Sequence, residues 1–187
     1  VITHSITSPT LNNLIIKDNY ADYGGGIYLE GFNGILENVV IDSNVAEQNG
    51  AGLYALNSSP ELNFLQVLNN REKAWTYALT GGGICLENST PQSFNEIIFH
   101  NNQASLNGGG LSLIDNSYVL TEGDLIFEFN DASGNGGGIY IEDSEIHSTG
   151  FAKIEFRENN SDQKGGGIFV EGGIVALDNV DFFDNNA

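Results

Sequence analysis

Apolar residues in this chain recur in short alternating pairs rather than long runs, and the pairs are tied to two repeated phrases. The first phrase is an apolar residue, two variable residues and an asparagine: Ile16/Asn19, Ile41/Asn44, Val67/Asn70, Phe99/Asn102, Phe127/Asn130, Phe156/Asn159 and Phe182/Asn185. Two residues before each apolar member stands another: Leu14, Val39, Leu65, Ile97, Leu125, Ile154 and Val180. Alternation with period two puts both side chains on one face of a strand. The second phrase is a glycine triplet followed by an aliphatic residue, with triplets ending at Gly26, Gly83, Gly110, Gly138 and Gly167 and a variant, Gly50-Ala51-Gly52. It opens a second alternating strand: Ile27/Leu29, Leu53/Ala55, Ile84/Leu86, Leu111/Leu113, Ile139/Ile141 and Ile168/Val170. A weaker third segment, with Leu62, Val119, Ile146 and Val175, follows an Asn/Asp-Ser turn such as Asn57-Ser58 or Asn88-Ser89.

The last glycines of the triplets lie 26, 31, 27, 28 and 29 residues apart, a period that signals a repeat architecture. One unit cannot bury its own inward face, but stacked units can. No segment holds an apolar 3.6 period free of Gly, Asn and Asp, which excludes a helical solenoid. The pattern therefore predicts an all-β fold, a right-handed single-stranded parallel β-helix of about seven coils of about 28 residues, with three short strands per coil. Residues 1–187 read as one such domain, a segment of a longer solenoid. In it Asn19, Asn44, Asn70, Asn102, Asn130, Asn159 and Asn185 stack as an inward ladder, and the glycines mark a corner that rejects side chains. Ala51 suggests that the middle glycine position is the most forgiving of the three.

Asn70 and Gly83 are 13 residues apart where other coils have 7 or 8, so residues 71–80 hold a loop insertion. The insertion carries Arg71, Lys73, Trp75 and Tyr77, with the chain's single tryptophan. It reads either as a cover for the solenoid's edge or as a binding loop.

Both phrases together resemble the chlamydial polymorphic outer membrane protein repeat, in which GGA plus an aliphatic residue alternates with FxxN. The triplets ending at Gly26, Gly83, Gly110, Gly138 and Gly167 match it, as do Phe99/Asn102, Phe127/Asn130, Phe156/Asn159 and Phe182/Asn185, over essentially the whole chain. Here a glycine replaces the family's alanine, and the first three coils use Ile or Val for Phe. The resemblance implies a surface-exposed adhesive or structural passenger rather than an enzyme.

Composition narrows the partners. With 25 acidic against 6 basic residues the net charge is −19, which excludes a nucleic-acid surface and an anionic membrane surface. No apolar run is long enough to span a bilayer and no secretory leader precedes the repeats. A methionine-free chain with one cysteine, Cys85, has no disulfide framework and reads as a processed or cropped piece of a longer product. The carboxylates would accept calcium; the candidates are the neighbouring Glu142 and Glu171, in a partial column with Glu30 and Glu87, and no other cofactor is expected. The same column reads as a solvated acidic edge rather than as a catalytic cluster. An outward column of Tyr28, Tyr54, Cys85, Ser112, Tyr140 and Phe169 offers an aromatic stripe for carbohydrate or a protein, or simply favours strands. His4, His100 and His147 hold unrelated places in the repeat, so no metal cluster is expected. Sequons at Asn57 and Asn88 lie in turns fit for glycans, whereas the one at Asn159 falls on the inward ladder.

The expected function is a non-enzymatic extracellular module, a stalk, adhesin passenger or filament segment stacking on further coils or on copies of itself. The rival is a polysaccharide-binding or polysaccharide-degrading β-helix that uses an outer face and the Trp75 loop.

Overall fold

The computed structural model describes residues 2–3, 9–73 and 80–187. The chain is all-β and winds as a parallel β-helix of about six turns with three sheets per turn. Seven strands form one sheet: Thr10–Lys17, Ile35–Asp42, Glu61–Leu68, Ser93–His100, Leu125–Glu128, Ile154–Arg157 and Val180–Phe183. These carry the apolar pair of the asparagine phrase. A second sheet starts with Ile2–Thr3 and continues through Ile27–Glu30, Leu53–Leu56, Ile84–Glu87, Leu111–Ile114, Ile139–Ser148 and Ile168–Ala176, with Tyr118–Thr121 beside Ile139–Ser148. Every pairing in both sheets is parallel and links one coil to the next.

The repeat in sequence becomes a register in space. Ile27, Leu53, Ile84, Leu111 and Ile139 align strand to strand and are fully buried. Across the interior, Phe99, Phe127, Phe156 and Phe182 stack with ring centroids 4.5, 4.9 and 4.8 Å apart and planes within 9° of parallel. Those separations match the spacing between neighbouring strands of one sheet, so each ring rides on its own strand without distortion. Two further rings are fully buried: Phe32, in a coil whose phrase has Ile, and Phe94, on the same strand as Phe99.

The third sheet differs from the expected one. It consists of two-residue strands immediately after each ladder asparagine: Tyr20–Ala21, Val45–Ala46, Arg71–Glu72, Gln103–Ala104, Asp131–Ala132 and Asn160–Ser161. The segment with Leu62, Val119 and Ile146 is buried as expected, but it merges with its neighbours. In early coils it joins the following phrase strand across a left-handed bend at Asn38, Phe64 or Glu96, with φ of 54°, 56° and 54°. In later coils it continues the glycine strand, as in Ile139–Ser148.

Left-handed residues also turn the chain just before each ladder asparagine, from Asp18 to Asp184, with φ between 48° and 57°. Glycine supplies the corner before the second sheet. Gly136 has φ +69°, and a Cβ on Gly137 would stand 2.3 Å from the carbonyl oxygen of Asn160 in the next coil. The middle position is therefore no more forgiving than the others, contrary to what Ala51 suggests. Ala51 faces the coil that carries the insertion, so the surroundings it meets differ from those of the other middle positions.

Candidate functional site

Each inward asparagine is held by the coils on both sides. Asn102 Nδ2 donates to Asn130 Oδ1 at 3.0 Å and to the Val67 carbonyl of the preceding coil at 2.8 Å. Its Oδ1 accepts from the Asn70 backbone N–H at 3.0 Å and from Asn70 Nδ2 at 3.1 Å. An amide has two donors and two acceptor lone pairs, so all four are used. The same pattern runs unbroken from Asn19 through Asn44, Asn70, Asn130 and Asn159 to Asn185. Asn44, Asn70, Asn102, Asn130 and Asn159 are completely buried, which places the Asn159 sequon inside the folded coil.

A second inward ladder escaped the sequence reading. The Ser58 backbone N–H donates to Ser89 Oγ, that of Ser89 to Ser117 Oγ, and that of Ser117 to Ser144 Oγ, each at 3.0 Å. Ser89 and Ser117 hydroxyls in turn donate to the carbonyls of Ala55 and Leu86 in the preceding coil. The signal was present as the serine in Asn57-Ser58, Asn88-Ser89, Asn116-Ser117 and Asp143-Ser144, but a turn serine and an inward serine look alike in sequence. The turn residues Asn57 and Asn88 are exposed, left-handed, and linked by a 2.6 Å hydrogen bond between side chains.

The outward column of the second sheet does not form an open aromatic stripe. Tyr54, Cys85, Ser112 and Tyr140 are at most 5% exposed, while Tyr28 and Phe169 are half-buried. The segment before each triplet folds back over them: Thr80 Oγ1 lies 3.5 Å from Cys85 Sγ, Ser112 Oγ donates to the Asn107 carbonyl, and Tyr23 stacks on Tyr54. Alternation correctly places these residues off the core, but it carries no information about a roof supplied by the chain itself. Burial pushes the Cys85 thiol and the Tyr54 and Tyr140 hydroxyls upward, away from ionisation.

Glu142 and Glu171 are register neighbours on adjacent coils. The Tyr140 hydroxyl donates to them at 3.1 and 3.4 Å. Among the described residues no group of three or more His, Cys, Asp or Glu side chains converges as a metal site.

Of the insertion, Trp75 and Tyr77 lie outside the described residues. Arg71 is exposed on the third sheet, in register with Val45 and Gln103. Lys73 reaches back across the coils, 3.4 Å from the Tyr20 hydroxyl and 3.6 Å from Glu47 Oε1. Between them sits Glu72, 6% exposed, in a column of small residues, Ala21, Ala46, Ala104, Ala132 and Ser161. Its Oε2 accepts from the Ser105 backbone N–H and hydroxyl at 2.9 and 3.1 Å, whereas its buried Oε1 meets no donor among the described residues. Burial raises its pKa to about 8 against the opposing effect of the two Ser105 hydrogen bonds.

Among the described residues no segment covers the outer face of the seven-stranded sheet around Val40, Gln66, Ile98 and Ile126. A groove of about 370 Å³ crosses it, floored by Val40, Gln66, Ile98 and Ile126 and banked by Phe64, Glu96 and Asp124. Further along, Glu155 is held by Lys153 and by Arg157, the latter at 2.5 Å. The Lys153 hydrogen bond is the main cause that keeps the Glu155 carboxyl below its ordinary range.

Comparison with family models, curated proteins and solved structures finds no match.

Proposed function

We propose that this chain is a non-enzymatic structural or adhesive β-helix module of the extracellular kind, similar in role to the passengers whose GGA and FxxN repeats it resembles. Its coils stack on further coils of the same repeat, in the same polypeptide or in another copy. The observation that carries this reading is the direction of the asparagine ladder: each member from Asn19 to Asn159 donates to the next. Such a ladder adds a coil at either end without altering any bond already made, the property a stalk or filament segment requires.

The last coil supports the same reading. Phe182, Phe183 and Val170 are 55, 46 and 40% exposed, and the strands Ile168–Ala176 and Val180–Phe183 are paired on one side among the described residues. Open parallel edges over an apolar interior are ready templates for more strands. Calcium between Glu142 and Glu171, glycans at Asn57 and Asn88, and carbohydrate or a cell-surface protein as partner belong to this proposal as additions to the scaffold.

Sedimentation velocity across a concentration series tests the stacking. Rod-like species that lengthen with concentration are expected, and Phe182→Asp, which places a charge on the uncovered ring's site, is expected to return monomers. A wild-type chain that stays monomeric at every concentration contradicts stacking between copies.

A further inference from the structure

The seven-stranded sheet carries the broad sheet face left bare among the described residues, because the second sheet is roofed by the pre-triplet segments. On this face side chains line up along the solenoid axis: Val40 beside Gln66, Gln66 beside Ile98, Ile98 beside Ile126. The row spans about 14 Å at normal interstrand spacing.

Phe64 on its bank departs from the asparagine that holds this bend in three other coils. It has φ 56° and is 53% exposed. The corresponding bend residues in other coils include Asn13, Asn38 and Asn179, and asparagine is the side chain that tolerates this conformation best after glycine. A bulky aromatic there strains the backbone and exposes apolar surface. Strain and apolar exposure together point to a role outside the fold.

We propose that this groove is a docking surface for a basic, apolar-faced segment of a partner protein. The floor gives aliphatic contact, with Ile98 36% exposed and Val40 and Ile126 half-buried. The bank gives negative charge: among the described residues the Glu96 side chain has no hydrogen-bond or ion-pair partner, and the Asp124 carboxylate accepts only the Lys153 backbone N–H, at 2.7 Å. No Lys or Arg lines the groove. Charge complementarity thus selects a cationic partner and excludes polyanions, on a chain whose net charge is −19. This surface is independent of the end faces that the stacking proposal uses.

The test is fluorescence anisotropy with a labelled short peptide of alternating lysine and leucine at physiological salt. Wild type binds it; Phe64→Asn weakens binding about tenfold while raising the melting temperature, because asparagine adopts the bend more readily. Asp162→Asn, an exposed acid on the third-sheet corner, leaves binding unchanged. Equal binding by wild type and Phe64→Asn overturns the proposal, as does an equal loss with Asp162→Asn, which would mark diffuse charge attraction. A fall in melting temperature for Phe64→Asn would show that Phe64 serves the fold, and displacement of the peptide by a neutral polysaccharide would assign the groove to carbohydrate; either result overturns it. Concentration-dependent stacking persists in Phe64→Asn, so the two proposals fail separately.

Discussion

Glu72 is the residue whose chemistry disagrees most with its place. A carboxylate buried without a full set of donors is costly when charged, so it holds its proton to about pH 8. The folded pKa lies above the ordinary value of 4.5, so between those values the folded chain binds more protons than the unfolded one. Stability contributed by this group is full below about pH 4.5 and is lost as pH rises to about 8. Glu72→Gln, which keeps the shape and removes the titration, is expected to gain on wild type across that window, with a slope approaching about 1.4 kcal/mol per pH unit, and to keep a constant lead above it. Denaturant unfolding of both proteins as a function of pH reads this; parallel pH profiles would show that Glu72 does not titrate in the fold. The residue was visible in sequence as a break in the Ala46, Ala104, Ala132 column, but only once the two-residue strand that defines the column is known.

At the scale of the element, the asparagine phrase and its apolar pair were legible because strand alternation and coil stacking are both strictly periodic. Leu14 and Ile16, or Leu125 and Phe127, share a face by spacing alone, and the asparagine three residues after the second apolar residue then turns inward with them. The third segment was harder to place. A single left-handed residue such as Asn38 or Glu96 bends one continuous strand instead of ending it, and asparagine or glutamate in sequence does not distinguish a bend from a turn. The ladder makes a quantitative claim. Asn102→Ala removes the acceptor for two Asn70 donors and the donor for Asn130 Oδ1 and the Val67 carbonyl. Orphaned buried groups cost about 1–3 kcal/mol each before relaxation, so a loss of roughly 3 kcal/mol or more in unfolding free energy is expected. A loss under about 1 kcal/mol, as for a surface substitution, would contradict the ladder.

On the scale of the whole molecule, the coils form a one-dimensional array in which each unit contacts its neighbours and little else. The architecture was readable because one repeat, solved once, applies to every coil. The candidate surfaces were less so, since they arise where coils differ. The roof over Tyr54 and Tyr140 comes from segments of varying sequence, and the groove at Phe64 depends on a bend angle. Acidic composition limited the partners without locating a site. What unifies the account is that the phrase residues are engaged between coils, which is why the repeat supports a stalk or filament segment.

The direct measurement of that claim is hydrogen exchange of asparagine side-chain amides by NMR. The Nδ2 protons of Asn44, Asn70, Asn102, Asn130 and Asn159 are predicted to exchange as slowly as the backbone amides of the seven-stranded sheet, through global unfolding alone. Exchange as fast as that of the exposed Asn12 and Asn88 would mean that the asparagines are not stacked inside the coils, and the account would fail.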